Sequence, residues 1–255
     1  PQDLKYIAVI ESALRPHAGS RKGAIGFWQF MKATGLKYGL IINSNMDERR
    51  NIFRSTEAAI RYFKELHEFL GSWSLAAAAY NMGEQGLQSE ILAQNSQNYY
   101  HLYLPLETQR YIMRAISAKI ILSAPEAYGF QFTEADLYPP LQYDRIRLEC
   151  FQETPIAIIA QAAGTSFKMI KDLNPEIRGH YLAAGSHWIL IPPGSADGFD
   201  TRFKMLVDQW LAENRERVYV VKAGDNLSAI AERFKVPLPA LIIWNRLAKN
   251  KHIHP

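Results

Sequence analysis

The chain has one cysteine in 255 residues, Cys150, so no disulfide can close within it. A lone thiol leaves the compartment open, because many exported proteins also lack disulfides. No apolar run approaches the length of a membrane span. The formal net charge of +4 comes from scattered Lys and Arg without a basic block, which excludes the usual footprint of a nucleic-acid binder. Of the seven histidines, His252 and His254 stand close together, but neither a cysteine partner nor a second pair at ligand spacing accompanies them. No metal and no cofactor are therefore expected. There is no charged leader or cleavage signal, and Pro1 stands almost at the start of a helix, so the chain reads as a fragment of a longer precursor.

What the chain does have is 48% hydrophobic and 12% aromatic residues, a soluble composition long enough for two or three domains. Its informative stretch is 4–31. Leu4, Ile7, Ala8 and Leu14 recur at helical spacing, and Glu11 belongs to the same face. A carboxyl aimed at apolar neighbours is raised by desolvation, and an acid still protonated near neutral pH is what protonating a glycosidic oxygen requires. The plainer reading of Glu11 is a glutamate at the edge of a mixed face, in water. Pro16 is expected to stop the helix. Small residues over 18–26 then lead into Gly26-Phe27-Trp28-Gln29-Phe30-Met31, aromatics around one amide that suit a sugar site.

Further along, 32–40 predicts a short helix ended by Gly39, and 41–50 is polar and irregular. Asp47-Glu48 beside Arg49-Arg50 reads as a solvated or salt-bridged loop. A helix is expected from Ser55, with Ala59, Tyr62, Phe63, Leu66 and Leu70 on one stripe and Gly71 at its end. The stretch 73–80, with four consecutive alanines, lacks a polar face and predicts a buried helix. Tyr80 and Asn81 end it, facing whatever cavity lies beyond, although Tyr80 reads equally as a core tyrosine. Gly83 and Gly86 are expected to break the chain, and the tyrosine-rich 91–103 is either a cleft rim or a surface loop. Pro105-Leu106-Glu107-Thr108 opens the next helix, with Tyr111 and Ile112 inside it; Glu107 suits a first helical turn through the dipole.

Beyond a Pro139-Pro140 connector the pattern changes. Ile146, Leu148 and Cys150 alternate as in a strand, Thr154-Pro155 suits an N-cap and first turn, Ser166 caps a second short helix, and 187–191 reads as a closing strand. The order starts again near 218: a strand over 218–221, a helix from Gly224-Asp225-Asn226-Leu227, then a second helix over 238–244. Ungapped superposition pairs Ile156 with Leu227, Ile159-Ala160 with Ile230-Ala231, Phe167 with Leu238, and Asn174 with Asn245, an internal repeat. Between the copies, Phe203, Leu206, Val207, Trp210 and Leu211 form an apolar stripe that should pack on a domain.

Glu11-Ser12, Ser20, Gly26-Phe27-Trp28-Gln29 and Ala79-Tyr80-Asn81-Met82-Gly83 resemble, in order and spacing, the motifs of the family 1 lytic transglycosylases, the soluble-lytic-transglycosylase domain. Glu107-Thr108 with Tyr111 resembles the fourth motif. Tyr219 to Leu227, with Ile230-Ala231 and Asn245, is similar to the LysM signature. The resemblance implies an α+β chain: a mainly helical, lysozyme-like catalytic domain over 1–127, a linker over 128–143, a degenerate LysM-like module over 144–195 lacking the Gly-Asp pair, a connecting helix over 196–217, and a LysM module over 218–255 that stops before its second strand. It implies non-hydrolytic cleavage of the β-1,4 bond between N-acetylmuramic acid and N-acetylglucosamine, giving 1,6-anhydromuramoyl products. Glu11 acts as acid and then base. Ser20 and Gln29 hold the muramoyl residue, Met31, Tyr80 and Asn81 shape its subsite, and Tyr111 positions the acid. Gly224, Asp225, Asn226, Leu227 and Asn245 would bind glycan. Peptidoglycan strands are the implied partner of a monomer in the periplasm or cell envelope, with the membrane reached only through a lipid anchor upstream. Two other readings stand beside it: a lysozyme-like hydrolase in which Asp47 or Glu48 activates water, and a silent peptidoglycan-binding scaffold.

Overall fold

The computed structural model describes residues 1–215, 219–245, 247 and 253. The chain divides into two units: Pro1–Gln142 joined by Lys171–Gly179, and Tyr143–Ile170 with His180–Pro255.

The first unit is helical. Its elements are α1 (Lys5–Ser12), α2 (Lys32–Lys37), α3 (Ile52–Leu70), α4 (Trp73–Met82), α5 (Glu84–Ala93) and α6 (Leu106–Ser123). As its composition requires, α4 is the central element: Leu75 and Ala76 to Ala79 are all buried, and α3, α5 and α6 pack around it. Alanine side chains let those backbones approach closely, while Phe63 and Leu66 from α3 fill the space beside them at roughly 2 kcal/mol of burial each. Helix α3 starts at Ile52, three residues before the expected Ser55, because Asn51 caps it by accepting from the amides of Phe53 and Arg54 at 3.0 and 2.9 Å. Gly86, expected to break the chain, lies inside α5.

The ending of α1 also departs from expectation. Helix α1 stops at Ser12, well before Pro16, because Ala13 and Leu14 are both left-handed, with φ of 49° and 55°. Leu14 therefore leaves the buried face and is half-exposed, whereas Ile7 and Ala8 stay in the core. The turn is bought by Ser12, whose hydroxyl donates to the carbonyl of Phe27 at 2.8 Å and ties the helix end to the next loop.

In the second unit, β1 (Asp144–Cys150) pairs antiparallel with β4 (Gly185–Ile191), placing Ile146 opposite Ile189 and Leu148 opposite His187. Thr154-Pro155, expected to open a helix, instead forms the short strand β2, which pairs with β3 (Tyr181–Leu182). Pro155 has extended backbone and α7 (Ile156–Ala162) begins one residue later. Helix α8 (Phe167–Leu173) follows; Ser166 caps it through the Met169 amide at 3.1 Å. Helix α9 (Phe199–Arg215) packs its stripe on α7, with Phe199 and Phe203 stacked and buried. Helices α10 (Leu227–Arg233) and α11 (Leu238–Trp244) stand at one constant offset from α7 and α8, matching in start and length as an internal repeat should. The strand expected over 218–221 is absent at Tyr219–Val221, and Val218 lies outside the described residues, as do His252 and His254. Among the described residues no helix is long and apolar enough to cross a membrane.

Candidate active site

Glu11 sits one residue before the end of α1, half-buried. The buried Tyr111, on α6, donates its hydroxyl to Glu11 Oε1 at 2.5 Å, a short contact joining residues a hundred positions apart. Burial pushes the Glu11 carboxyl up. The Tyr111 hydrogen bond and the Arg114 guanidinium pull it down, and the Glu107 carboxylate adds a push upward, leaving it above the ordinary carboxylate range.

The loop opposite is closed by its own hydrogen bonds. Ser20 Oγ accepts from the Ala24 amide at 3.0 Å and closes a tight turn. Gln29 has φ of 49°, and its Nε2 donates to the carbonyls of Ala18 and Gly26 at 3.0 and 2.8 Å. Trp28 and Phe30 are buried, and Trp28 Nε1 donates to Thr56 Oγ1 at 2.9 Å, so alternate side chains anchor the loop in the core while Phe27 and Gln29 stay partly exposed. Met31 is exposed.

Tyr80 donates to the Trp28 carbonyl at 2.6 Å and stacks on Phe63 with ring centroids 4.5 Å apart. It is a core tyrosine and a support of the loop at once. Asn81 Oδ1 accepts from the buried Thr108 hydroxyl at 2.8 Å, a contact that holds the end of α4 to the start of α6. In the tyrosine-rich stretch, Tyr99 is buried and donates to the carbonyls of Thr108 and Gln109, while Tyr100 and Tyr103 are exposed. Glu107 is exposed in the first turn of α6.

Of the two expectations for Asp47 and Glu48, solvated or salt-bridged, the structure has the second. Asp47 is fully buried and both its oxygens accept from Arg49, from Nε and Nη2 at 2.8 Å each. Glu48 accepts from the Ile41 amide at 2.7 Å on one oxygen and from Arg54 Nε at 3.2 Å on the other. Arg49 also donates from Nη1 to the carbonyls of Gly23 and Phe30, both at 3.1 Å, clamping the Gln29 loop. Sequence reasoning missed that clamp. The signal for it was a glycine: Gly26 has φ of 86°, and a Cβ there would stand 1.8 Å from the Arg49 carbonyl oxygen.

Two cavities, of about 520 and 500 Å³, flank the N-terminal end of α1, where Leu4 and Trp73 line both; Tyr111 lines the first, but Glu11 lines neither. Among the described residues no cluster of three His, Cys, Asp or Glu stands at metal-binding geometry.

In the second unit, Asp225 Oδ2 accepts from the Tyr219 hydroxyl at 2.8 Å and the Lys222 amide at 2.7 Å, Gly224 has φ of 91°, and Asn226 caps α10 through the Ala229 amide. Asn245 donates to the Leu241 carbonyl at 2.9 Å. These contacts brace the turn before α10 and the end of α11.

Comparison with known proteins accords with this arrangement. Residues 1–103 match the model of the transglycosylase SLT domain and residues 219–255 that of the LysM domain. The chain is 32% identical, over 98% of its length, to membrane-bound lytic murein transglycosylase D of Escherichia coli strain K12, and equally to the protein of that name from Escherichia coli O6:H1. It spans 58% of the length of these relatives. Residues 1–103 therefore belong to the transglycosylase SLT domain family, and residues 219–255 to the LysM domain family.

Proposed function

We propose that the chain is a peptidoglycan lytic transglycosylase. The observation that carries this reading is the contrast among its carboxyl groups: Glu11 is held by Tyr111 as a raised acid, whereas Asp47 and Glu48 have both oxygens engaged and neither is available to activate water. One acid suffices when the nucleophile comes from the substrate. Glu11 gives its proton to the glycosidic oxygen between N-acetylmuramic acid and N-acetylglucosamine as the bond to the muramoyl anomeric carbon breaks. The muramoyl 6-hydroxyl oxygen bonds to that carbon and its proton passes to the Glu11 carboxylate. The acid is regenerated, no water is consumed, and a 1,6-anhydro end results. Tyr111 stabilises the carboxylate formed between the two proton transfers. Ser20, Gln29, Met31, Tyr80 and Asn81 are assigned to the muramoyl subsite, directly or by shaping its walls.

The remaining chain supports attachment to the polymer. Residues 218–255 are read as a glycan-binding LysM module acting through Gly224, Asp225, Asn226, Leu227 and Asn245, with 144–195 a degenerate copy. The relatives named as membrane-bound murein transglycosylases favour the cell envelope. Digestion of sacculi in oxygen-18 water tests the reading by mass analysis. Anhydromuramoyl ends without the label are expected. Labelled reducing ends would make the protein a hydrolase, and bound but undigested sacculi would make it a scaffold.

A further inference from the structure

Lys171–Gly179 lies between residues of the second unit in sequence but belongs to the first. It is stitched to the loop that carries Asp47 and Arg49. The Asp47 amide donates to the Glu176 carbonyl at 2.8 Å, the Arg178 amide donates to the Asn45 carbonyl at 2.9 Å, and Met46 bridges Ile177 in antiparallel fashion. Ile177 is 2% exposed and Glu176 4%, so the segment is a buried part of that unit. Lys171 closes the turn by donating to the carbonyls of Ile177 and Gly179.

The side chain of Glu176 is the unusual member. Its Oε1 accepts from Asn51 Nδ2 at 2.7 Å, and its buried Oε2 has no hydrogen-bond partner among the described residues. A buried carboxyl with one oxygen unsatisfied is costly, so its retention calls for a compensating role. Burial also pushes this carboxyl up. From Asn51 the contacts run toward the active site. Asn51 ends the short turn Glu48–Arg50 that Asp47 caps. Asp47 orients Arg49, Arg49 grips the carbonyls of Gly23 and Phe30, and Ser12 beside the catalytic acid receives the same loop at Phe27.

We propose that Glu176 is a positioning residue for the reaction: through Asn51 it fixes the Asp47–Arg49 clamp, and the clamp holds the Gln29 loop against the end of the Glu11 helix. The inference rests on the transglycosylase reading for its kinetic consequence but not for its structural one. Both are measured on the full chain. Glu176→Ala should lower kcat on glycan strands by on the order of tenfold to a hundredfold, as a small misplacement of positioning groups does, with KM and sacculus binding little changed. Glu176→Gln, which keeps an acceptor for Asn51, should restore kcat to within about threefold of wild type. Hydrogen exchange supplies the readout independent of turnover. The Ile25 and Gly26 amides, which donate to Phe30 and Ala18, should exchange faster in Glu176→Ala while those of α6 keep their protection. If Glu176→Ala does not fold, Asn51→Ser decides, since serine keeps the cap of α3 and lacks the Nδ2 amide that reaches Glu176. Wild-type kcat and wild-type exchange at Ile25 and Gly26 in either folded variant would overturn the proposal. A wild-type protein that makes no anhydro product but shows the exchange effect would sink the transglycosylase reading and leave Glu176 as the holder of the loop.

Discussion

Glu11 and Asp47 are carboxyl groups of the same unit, both withdrawn from water, and they end in opposite states. Glu11 has a hydroxyl for a close partner and a cation only at longer range, so burial wins and the acid is raised. Asp47 is the more deeply buried, and burial pushes it up as well, but the guanidinium of Arg49 on both oxygens outweighs this and holds it below the usual carboxylate range. Burial alone therefore does not make a proton donor. What decides is whether the enclosing partner carries charge, and that separates a raised acid from a structural ion pair.

The largest expected effect tests the first half of that contrast. Glu11→Gln should cut the rate of anhydro-product formation by about a hundredfold to ten-thousandfold, read by mass analysis of digested sacculi. The same variant should raise the melting temperature at neutral and alkaline pH. A carboxyl raised in the folded state favours folding most below its ordinary pKa, and that contribution is lost as pH rises through the raised value. In wild type, kcat should fall over this same rise in pH as the donor is deprotonated, a limb absent from Glu11→Gln.

Breaking the second half should cost stability before chemistry. Arg49→Met strands the Asp47 carboxylate and releases the carbonyls of Gly23 and Phe30, for a loss of about 3–5 kcal/mol in denaturant unfolding. Asp47 has the opposite linkage to Glu11: its contribution is present above the ordinary carboxylate pKa and is lost as pH falls through its lowered value. Acid unfolding should therefore weaken in its pH dependence when Asp47 and Arg49 are replaced together by an apolar pair.

Smaller effects sharpen the comparison. Tyr111→Phe removes a hydrogen bond that favours the charged form of Glu11, so the alkaline limb of the kcat profile should move to higher pH, and kcat should drop by about tenfold, the worth of one hydrogen bond to a charged group. Thr108→Val leaves Asn81 without its donor, and unfolding should register about 1 kcal/mol.

Much of this was legible in the sequence because it is periodic or local. The alanine-rich α4, with no polar face, had only one place to go, and the offset between α7–α8 and α10–α11 follows from matching apolar positions. Glu11 was legible as an acid on an apolar face. The end of its helix was not, because two left-handed residues and a distant carbonyl stop it before the proline does. Thr154-Pro155 misled for a related reason: an N-cap pair also suits extended backbone, and pairing with Tyr181–Leu182 selected the strand. Asp47-Glu48-Arg49-Arg50 reads as a loop either solvated or salt-bridged, because sequence reports charge density but not which partners enclose it; folding selected the ion pairs.

The order of residues by itself determined the buried α4, that the chain repeats a small unit near its end, and that Glu11 stands on an inward face, since each depends on neighbours a few positions away. Only the tertiary structure decided that Tyr111 would meet that carboxyl, that Arg49 would neutralise its rival, and that Glu176 would brace the loop between them. These contacts join residues far apart in the chain, and the direction in which a buried charge shifts depends on whatever group folding sets against it.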